Sequence, residues 1–343
     1  SNTYTWTYDT TAPTIGITSI ASDDYVNEDE YEDNGFSVVG SVSGANGETV
    51  TVDYGGASAT CTAASGAFTC SFTASVLAAS NSGSGVSDSS SPGVTVTANV
   101  DDAAGNSATQ ASVTVTQDTA DPTMTITSST ASSGATTATG GFALTFTSNE
   151  ATSNFVVGDI TETGCTLGDL TGSSTTVYTA TCTATSDGTP TVSVAASSYT
   201  DTAGNGNTVS NTYTWTYDST GPTMVITSAT VVSGASTATA AIALTFTSNE
   251  ATTDFVQADI SEVGCSLSGS LGVTSSLIYT DTCTASSDGT PTVSVAAGAF
   301  NDAVGNDNSV SNTYTWTYDG TSPSMTITSS TVSSGATTTT AAI

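Results

Sequence analysis

Short runs in which Val, Ile, Leu, Phe and Tyr alternate with Thr and Ser recur along the whole chain, and clusters of Gly, Ser, Asn and Asp separate them. Alternation of period two marks a strand with one buried face, and no stretch returns its apolar residues at helical spacing. The pattern predicts strands in the first third at 14–20, 36–42, 49–54, 57–62, 67–73, 94–100 and 111–116. Others follow at 123–128, 142–147, 159–166, 176–183, 190–195 and 208–217, and this second set repeats about 101 residues further on. Helix is expected only as a turn or two.

One stretch organises the repeats. Ser-Asn-Thr-Tyr-Thr-Trp-Thr-Tyr-Asp stands at 1–9, 210–218 and 311–319, and each copy is followed after three residues by Pro. Tyr213, Trp215 and Tyr217 alternate with threonines, so the aromatics should face a core, with the tryptophans as core anchors rather than ligand platforms. The Asp-x-x-x-Pro tail ends the strand, because proline has no N–H for a ladder and pushes its predecessor toward extended geometry. The markers are Asp9 and Pro13, Asp118 and Pro122, Asp218 and Pro222, Asp319 and Pro323. They lie about 100 residues apart, the length of one immunoglobulin-like sandwich.

The expected fold is therefore all-β, a linear array of tandem immunoglobulin-like β-sandwich domains. Residues 1–9 read as the last strand of a preceding repeat, and 10–118 as a first domain with an acidic insert at 23–34. Residues 119–218 and 219–319 are two closely similar domains, sharing Leu-Thr-Phe-Thr-Ser-Asn-Glu and Asp-Gly-Thr-Pro-Thr-Val-Ser-Val. Self-similarity at this period signals an array. Residues 320–343 read as the first strands of a following repeat. Such end fragments fit a window on a longer array, or strand donation between subunits. The two fragments together lack the middle strands, which argues against simple donation.

Charge narrows the function. The chain has 31 Asp and Glu and no Lys, Arg or His, a formal net charge of −31. No side-chain salt bridge can form. Nucleic acid and anionic membrane surfaces are disfavoured as partners, since both are bound through cationic groups. Ser-His-Asp and Cys-His pairs, Schiff-base lysines and lysine isopeptide cross-links all need residues that are missing. A glycosidase-like carboxylate pair remains formally open, but the acids are scattered over repeats, so no enzyme is expected.

The six cysteines fall two to a repeat, Cys61 with Cys70, Cys165 with Cys182 and Cys265 with Cys283. An even count per repeat favours disulfides and an oxidising compartment, with buried thiols as the alternative. Cys61 and Cys70 flank a turn and should staple a hairpin; Cys165 and Cys182 should tie two strands on either side of a loop. No apolar run approaches the ~20 residues of a membrane helix, and any export signal is expected outside these residues.

The order Asp-x-x-Gly-Asn (Asp102 to Asn106, Asp201 to Asn205, Asp302 to Asn306), then a strand, then Asp-x-x-x-Pro, resembles bacterial Ig-like repeats. The first repeat resembles one subtype, with Asp24, Asn27 and Glu30 ahead of Gly-Ser-Val-Ser-Gly; the other two resemble another, with Phe-Val-Val-Gly-Asp-Ile at 155–160. The resemblance implies the stalk of a large extracellular surface adhesin. The missing basic residues depart from many such proteins.

In an immunoglobulin-like sandwich, the loops joining the second to third and sixth to seventh strands lie at the end where the first strand enters. This places Asp118, Glu150, Asp159, Asp201 and Asn205 near one joint, and Asp218, Glu250, Asp259, Asp302 and Asn306 near the next. Oxygen donors in such number, without nitrogen or free sulfur, suit structural Ca²⁺, which takes about six to eight hard ligands. The 23–34 stretch should face the second domain's cluster and share a bridging Ca²⁺ there; a solvated acidic loop is the alternative.

The function expected is a non-enzymatic, secreted or cell-surface rod, stiffened by Ca²⁺ and acting as an adhesin stalk. The alternatives are a building block of a self-assembling extracellular filament, or a carbohydrate-binding array. Neighbouring repeats are the expected partners, with no nucleic acid and no direct membrane contact. Self-association is open, as are O-linked glycans on the abundant Ser and Thr; no Asn-x-Ser/Thr sequon occurs.

Overall fold

The computed structural model describes residues 3–80, 93–152, 154–252, 254–337 and 339. The chain forms two compact units, residues 1–217 and 218–343. The first unit holds two β-sandwiches and the second holds one.

The first sandwich runs β1 (Thr14–Ile20), β2 (Tyr25–Val26), β3 (Phe36–Ser43), β4 (Thr49–Tyr54), β5 (Ala57–Thr62), β6 (Ala67–Phe72), α1 (Ala74–Ser80), β7 (Val94–Val100) and β8 (Ala111–Gln117). One sheet has the order β1-β3-β6 and the other β2-β8-β7-β4-β5. Alternation places Phe36, Val38 and Val42 of β3 opposite Val50, Val52 and Tyr54 of β4 in one core. Phe36 stacks on Phe72 at 5.3 Å and meets Tyr54 edge-on at 4.9 Å, an arrangement that adds to burial through the ring quadrupoles. The 23–34 stretch supplies β2 and a π-helical turn, Asp29–Asn34.

All three expected disulfides are present, and no described cysteine is free. Cys61–Cys70 corrects one expectation. β5 and β6 belong to different sheets, so this bridge does not staple a hairpin; it joins the two layers. The chain turns the corner at 63–66, where Ser65 and Gly66 take left-handed backbone angles, φ 52° and 80°. Period-two alternation gives the face of a strand, not its sheet.

The second sandwich comprises β9 (Met124–Thr127), β10 (Thr136–Thr137), β11 (Gly141–Ser148), β12 (Ile160–Thr163), β13 (Cys165–Leu167), β14 (Thr171–Gly172), β15 (Val177–Ala184), β16 (Thr191–Val194), β17 (Tyr213–Thr214) and β18 (Thr216–Tyr217). Its sheets are β13-β15-β11-β9 with β14 on β15, β12-β16-β17, and the parallel pair β10-β18. The run expected at 159–166 is thus two strands in two sheets, broken at Gly164, whose φ is 73°. The run expected at 208–217 is strand only at its end. Before it, the Asn211 side chain pairs with Ile126 like a strand neighbour, accepting from Ile126 N at 2.7 Å and donating to Ile126 O at 3.0 Å.

The second unit repeats this plan with β19 (Met224–Thr227), β20 (Ser236–Thr237), β21 (Ala241–Ser248), β22 (Ile260–Val263), β23 (Cys265–Leu267), β24 (Gly272–Ser275), β25 (Ile278–Ala285), β26 (Thr292–Val295), β27 (Tyr314–Thr315) and β28 (Thr317–Tyr318). Cys165–Cys182 and Cys265–Cys283 each tie adjacent strands of one sheet, β13 to β15 and β23 to β25.

Trp215 and Trp316 are fully buried, as core anchors should be, whereas Trp6 is 82% exposed. Met325 and Ile327 are likewise exposed, although their counterparts Met224 and Ile226 are buried. Among the described residues of 3–13 and 320–339 no strand forms, because within this chain neither segment meets a sheet that its alternating face could complete. No helix is long and apolar enough to cross a membrane among the described residues, which says nothing of a β-barrel.

Candidate metal centre

Each Asp-x-x-Gly-Asn segment folds into the same turn. Asp201 Oδ1 accepts from Gly204 N at 2.7 Å and Asn205 N at 2.9 Å, and its Oδ2 accepts from Asn205 Nδ2 at 2.9 Å. Gly204 sits at φ 99°, a backbone angle that side chains with a Cβ rarely take, which explains the glycine. Asp302 is held alike by Val304, Gly305 and Asn306 N–H groups, at 2.8, 2.8 and 2.9 Å. Burial disfavours the charge of Asp302, yet those donors and the Asn306 amide hold its carboxyl below the usual carboxylate range.

The neighbouring loop brings a glutamate to each buried aspartate. β11 ends at Ser148, whose Oγ accepts from Glu150 N at 3.4 Å. Asn149 fixes the turn by accepting from Thr123 N at 2.6 Å and donating to Glu150 Oε1 at 3.1 Å. Asn249 does the same after β21, with Thr223 N at 2.5 Å and Glu250 Oε1 at 3.0 Å. The linker supplies the third acid. Asp118 N donates to Val26 O at 3.0 Å, continuing the parallel β2–β8 ladder, and Asp118 Oδ1 accepts from Ala120 N at 3.2 Å.

Asp118, Glu150 and Asp201 thereby gather one carboxylate oxygen each within 4.8 Å of one another, and so do Asp218, Glu250 and Asp302. Glu150 carries the electrostatic consequence. Burial first, then the charges of Asp118 and Asp201, push its carboxyl up to about 7, and its Oε2 is sealed from solvent with no donor facing it. An oxygen-only set with an undonated, buried oxygen fits a hard divalent cation.

The remaining expected residues stand elsewhere. Asp159 and Asp259 lie outside both gathered sets; their Oδ2 atoms accept from Val156 N and Val256 N at 2.8 Å and cap short 3₁₀ turns. Asn205 and Asn306 adjoin the sets, but their Nδ2 groups are donors to Asp201 and Asp302. In the first sandwich Asp102 makes the same turn with Asn106, yet no third acid joins it among the described residues. Of the 23–34 acids, Asp23 and Glu30 accept from Tyr25 N and Asn27 N of their own loop and Asp24 from Ile20 N at the end of β1, and no three of that stretch gather among the described residues.

Sequence reasoning missed Asn207 and Asn308, which brace each turn from behind. Asn207 Oδ1 accepts from Ser198 N and Tyr199 N, and its Nδ2 donates to Ala195 O and Thr208 O. Their signal was their recurrence two residues after each turn's Asn205 or Asn306.

Tandem immunoglobulin-like sandwiches, each entered through an Asp-x-x-x-Pro linker that abuts an Asp-x-x-Gly-Asn turn, define the class of protein. The chain belongs to the bacterial Ig-like domain family, whose sequence profile matches residues 118–217 and 218–318. No curated protein sequence matches it. Solved structures that it resembles include a 1.5-MDa bacterial ice-binding adhesin, at 17% identity over 90% of this chain and 98% of that one, with a TM-score of 0.41. Invasin, a bacterial integrin-binding protein, is 15% identical over 83% of this chain and 56% of its own, with a TM-score of 0.34. The Escherichia coli adhesin FdeC is 13% identical over 90% and 98%, with a TM-score of 0.34.

Proposed function

We propose that the chain is part of the non-enzymatic extracellular stalk of a bacterial surface adhesin, with Ca²⁺ at its joints. The ligands are Asp118, Glu150 and Asp201 at one joint and Asp218, Glu250 and Asp302 at the next. Repetition carries this reading: two successive sandwiches gather the same three acids where the linker enters. A solvated acidic surface has no need to repeat that convergence, nor to bury a glutamate oxygen without a donor. Bound Ca²⁺ supplies positive charge that no side chain of this protein can supply, and it ties linker to sandwich, which limits swing at the joint. The task of such a rod is reach.

Melting and hydrodynamic length of the chain, in EDTA and in Ca²⁺, test the proposal. Ca²⁺ at about a hundred times its dissociation constant should add roughly 2.7 kcal/mol per site and raise the melting temperature. Asp201→Asn should remove one site and Asp302→Asn the other. Unchanged melting together with unchanged length would sink the reading.

A further inference from the structure

The asparagine of each Asp-x-x-Gly-Asn turn does more than close the turn. Its Nδ2 bridges the turn's own aspartate to the backbone carbonyl of the linker aspartate: Asn106 to Asp9 O at 3.2 Å, Asn205 to Asp118 O at 2.8 Å, Asn306 to Asp218 O at 3.0 Å. In the first unit the other end of the amide is also engaged. Asn205 Oδ1 accepts from Glu28 N at 2.8 Å, and beside it Asn27 Nδ2 donates to Ala203 O at 3.2 Å. Asn27 and Glu28 lead into the π-helical turn of the first sandwich.

We propose that Asn205 is the orienting residue of this joint rather than an ion ligand, coupling the carboxylate cluster to docking of the first sandwich's acidic loop. The coupling rests on the Ca²⁺ reading above; the hydrogen bonds themselves do not. An amide is suited to the place, because one planar group offers two N–H donors to Asp201 and Asp118 and one acceptor to Glu28. Aspartate there would lose both donated bonds and add a charge beside two others. Gly204 permits the approach: a Cβ on it would lie 3.1 Å from Asn27 Nδ2.

The rest of the seam opposes contact. A cleft of about 480 Å³ there is lined by Glu28, Asp29 and Asp121 among others, and burial and then Asp121 raise the carboxyl of Glu28. Neutral hydrogen bonds through Asn27 and Asn205 therefore hold together surfaces that charge would part. An ion that fixes Asp118 and Asp201 fixes the amide between them, and through it the Glu28 N–H. Linkage makes the effect reciprocal, so releasing the loop must weaken ion binding by the same factor.

Amide exchange at Glu28, followed by NMR on the whole chain in EDTA and in Ca²⁺, tests the proposal alongside Ca²⁺ titration. Asn205→Ala should speed Glu28 exchange about tenfold in EDTA, the worth of roughly one hydrogen bond, and abolish its slowing by Ca²⁺. Asn306→Ala should leave Glu28 unchanged. Glu28→Pro removes the donated N–H while spared the wrong φ, since Glu28 already sits at −58°. It should weaken Ca²⁺ binding several-fold with every cluster acid intact. Wild-type exchange at Glu28 in Asn205→Ala overturns the tie, and wild-type Ca²⁺ affinity in both variants overturns the coupling. If the unaltered chain binds no Ca²⁺, the stalk's ion reading fails and the coupling with it, while the EDTA rates still decide the tie.

Discussion

The second sandwich carries Val157, Gly168 and Ala180 where the third, on nearly the same frame, carries Gln257, Ser268 and Asp281. Ala180 pairs with Leu144 and is 3% exposed; Asp281 pairs with Leu244 and is 6% exposed. A carboxylate has thus replaced a methyl on the inward face of the same strand. It survives because its oxygens are met on every side: Gln257 Nε2 at 2.7 Å, Ser268 N at 3.1 Å, Ser268 Oγ at 2.5 Å and Thr282 N at 2.6 Å. The three differences are one difference. The comparison teaches that a buried charge in this fold is tolerated only as a set with its donors.

Moving the charge alone should break the second sandwich most severely. Ala180→Asp puts a carboxylate beside Val157 and Gly168, which donate nothing from their side chains, and should cost about 3 kcal/mol or more. Adding Val157→Gln and Gly168→Ser should recover most of that loss. Because the sandwiches need not unfold together, stability is best read locally, from urea-dependent amide exchange in β15 and β25. A single Ala180→Asp variant as stable as the parent, with no gain from the other two changes, would show that the donors are incidental.

The joints sharpen the comparison, since there the two sandwiches agree in all three acids. In EDTA, folded Glu150 keeps its proton up to about 7, against an ordinary value of 4.5. Between those values the folded chain binds more protons than the unfolded one, so this contribution is full below pH 4.5 and is lost as pH rises through 7. With Glu150 only partly buried, solvent screening leaves about 1 kcal/mol of it. Melting of the chelated chain across this range should show the decline, and Glu150→Gln should flatten it; a slope that persists in that variant belongs to other acids.

Strand positions were legible to within a residue or two wherever alternation was unbroken, as in β3, β4 and β15, because burial of one face leaves a local record in the sequence. What needed partners far along the chain left none. Nothing local says that β5 and β6 part into different sheets, or that Gly164 divides a run between two layers. Within the site, the aspartates and glutamates of the two clusters were marked by their place beside linkers and loops. Asp159 and Asp259 carried the same mark but lie outside the gathered sets and accept from Val156 and Val256 N–H groups, and nothing local marked the hydrogen bond of Asn205 to Glu28, 177 residues away. Asp281 broke the alternation of its strand, and that break was the visible sign of a substituted network.

The smallest effect is expected where the copies differ by one hydroxyl. Tyr199 is buried and its OH lies 3.4 Å from Ser148 Oγ, a long contact; the third sandwich has Phe300 in the same place, equally buried. Ser148 keeps a second role in either case, since its Oγ accepts from Glu150 N, as Ser248 Oγ accepts from Glu250 N. Tyr199→Phe therefore removes a weak bond without stranding its partner, and the stability of the second sandwich should shift by less than about 0.5 kcal/mol. Ca²⁺ affinity should be unchanged, because the loop that presents Glu150 keeps its anchor. A loss above about 1.5 kcal/mol, or a weaker ion site, would mean that the hydroxyl braces the cluster in the second sandwich and that the third holds its glutamate by other means.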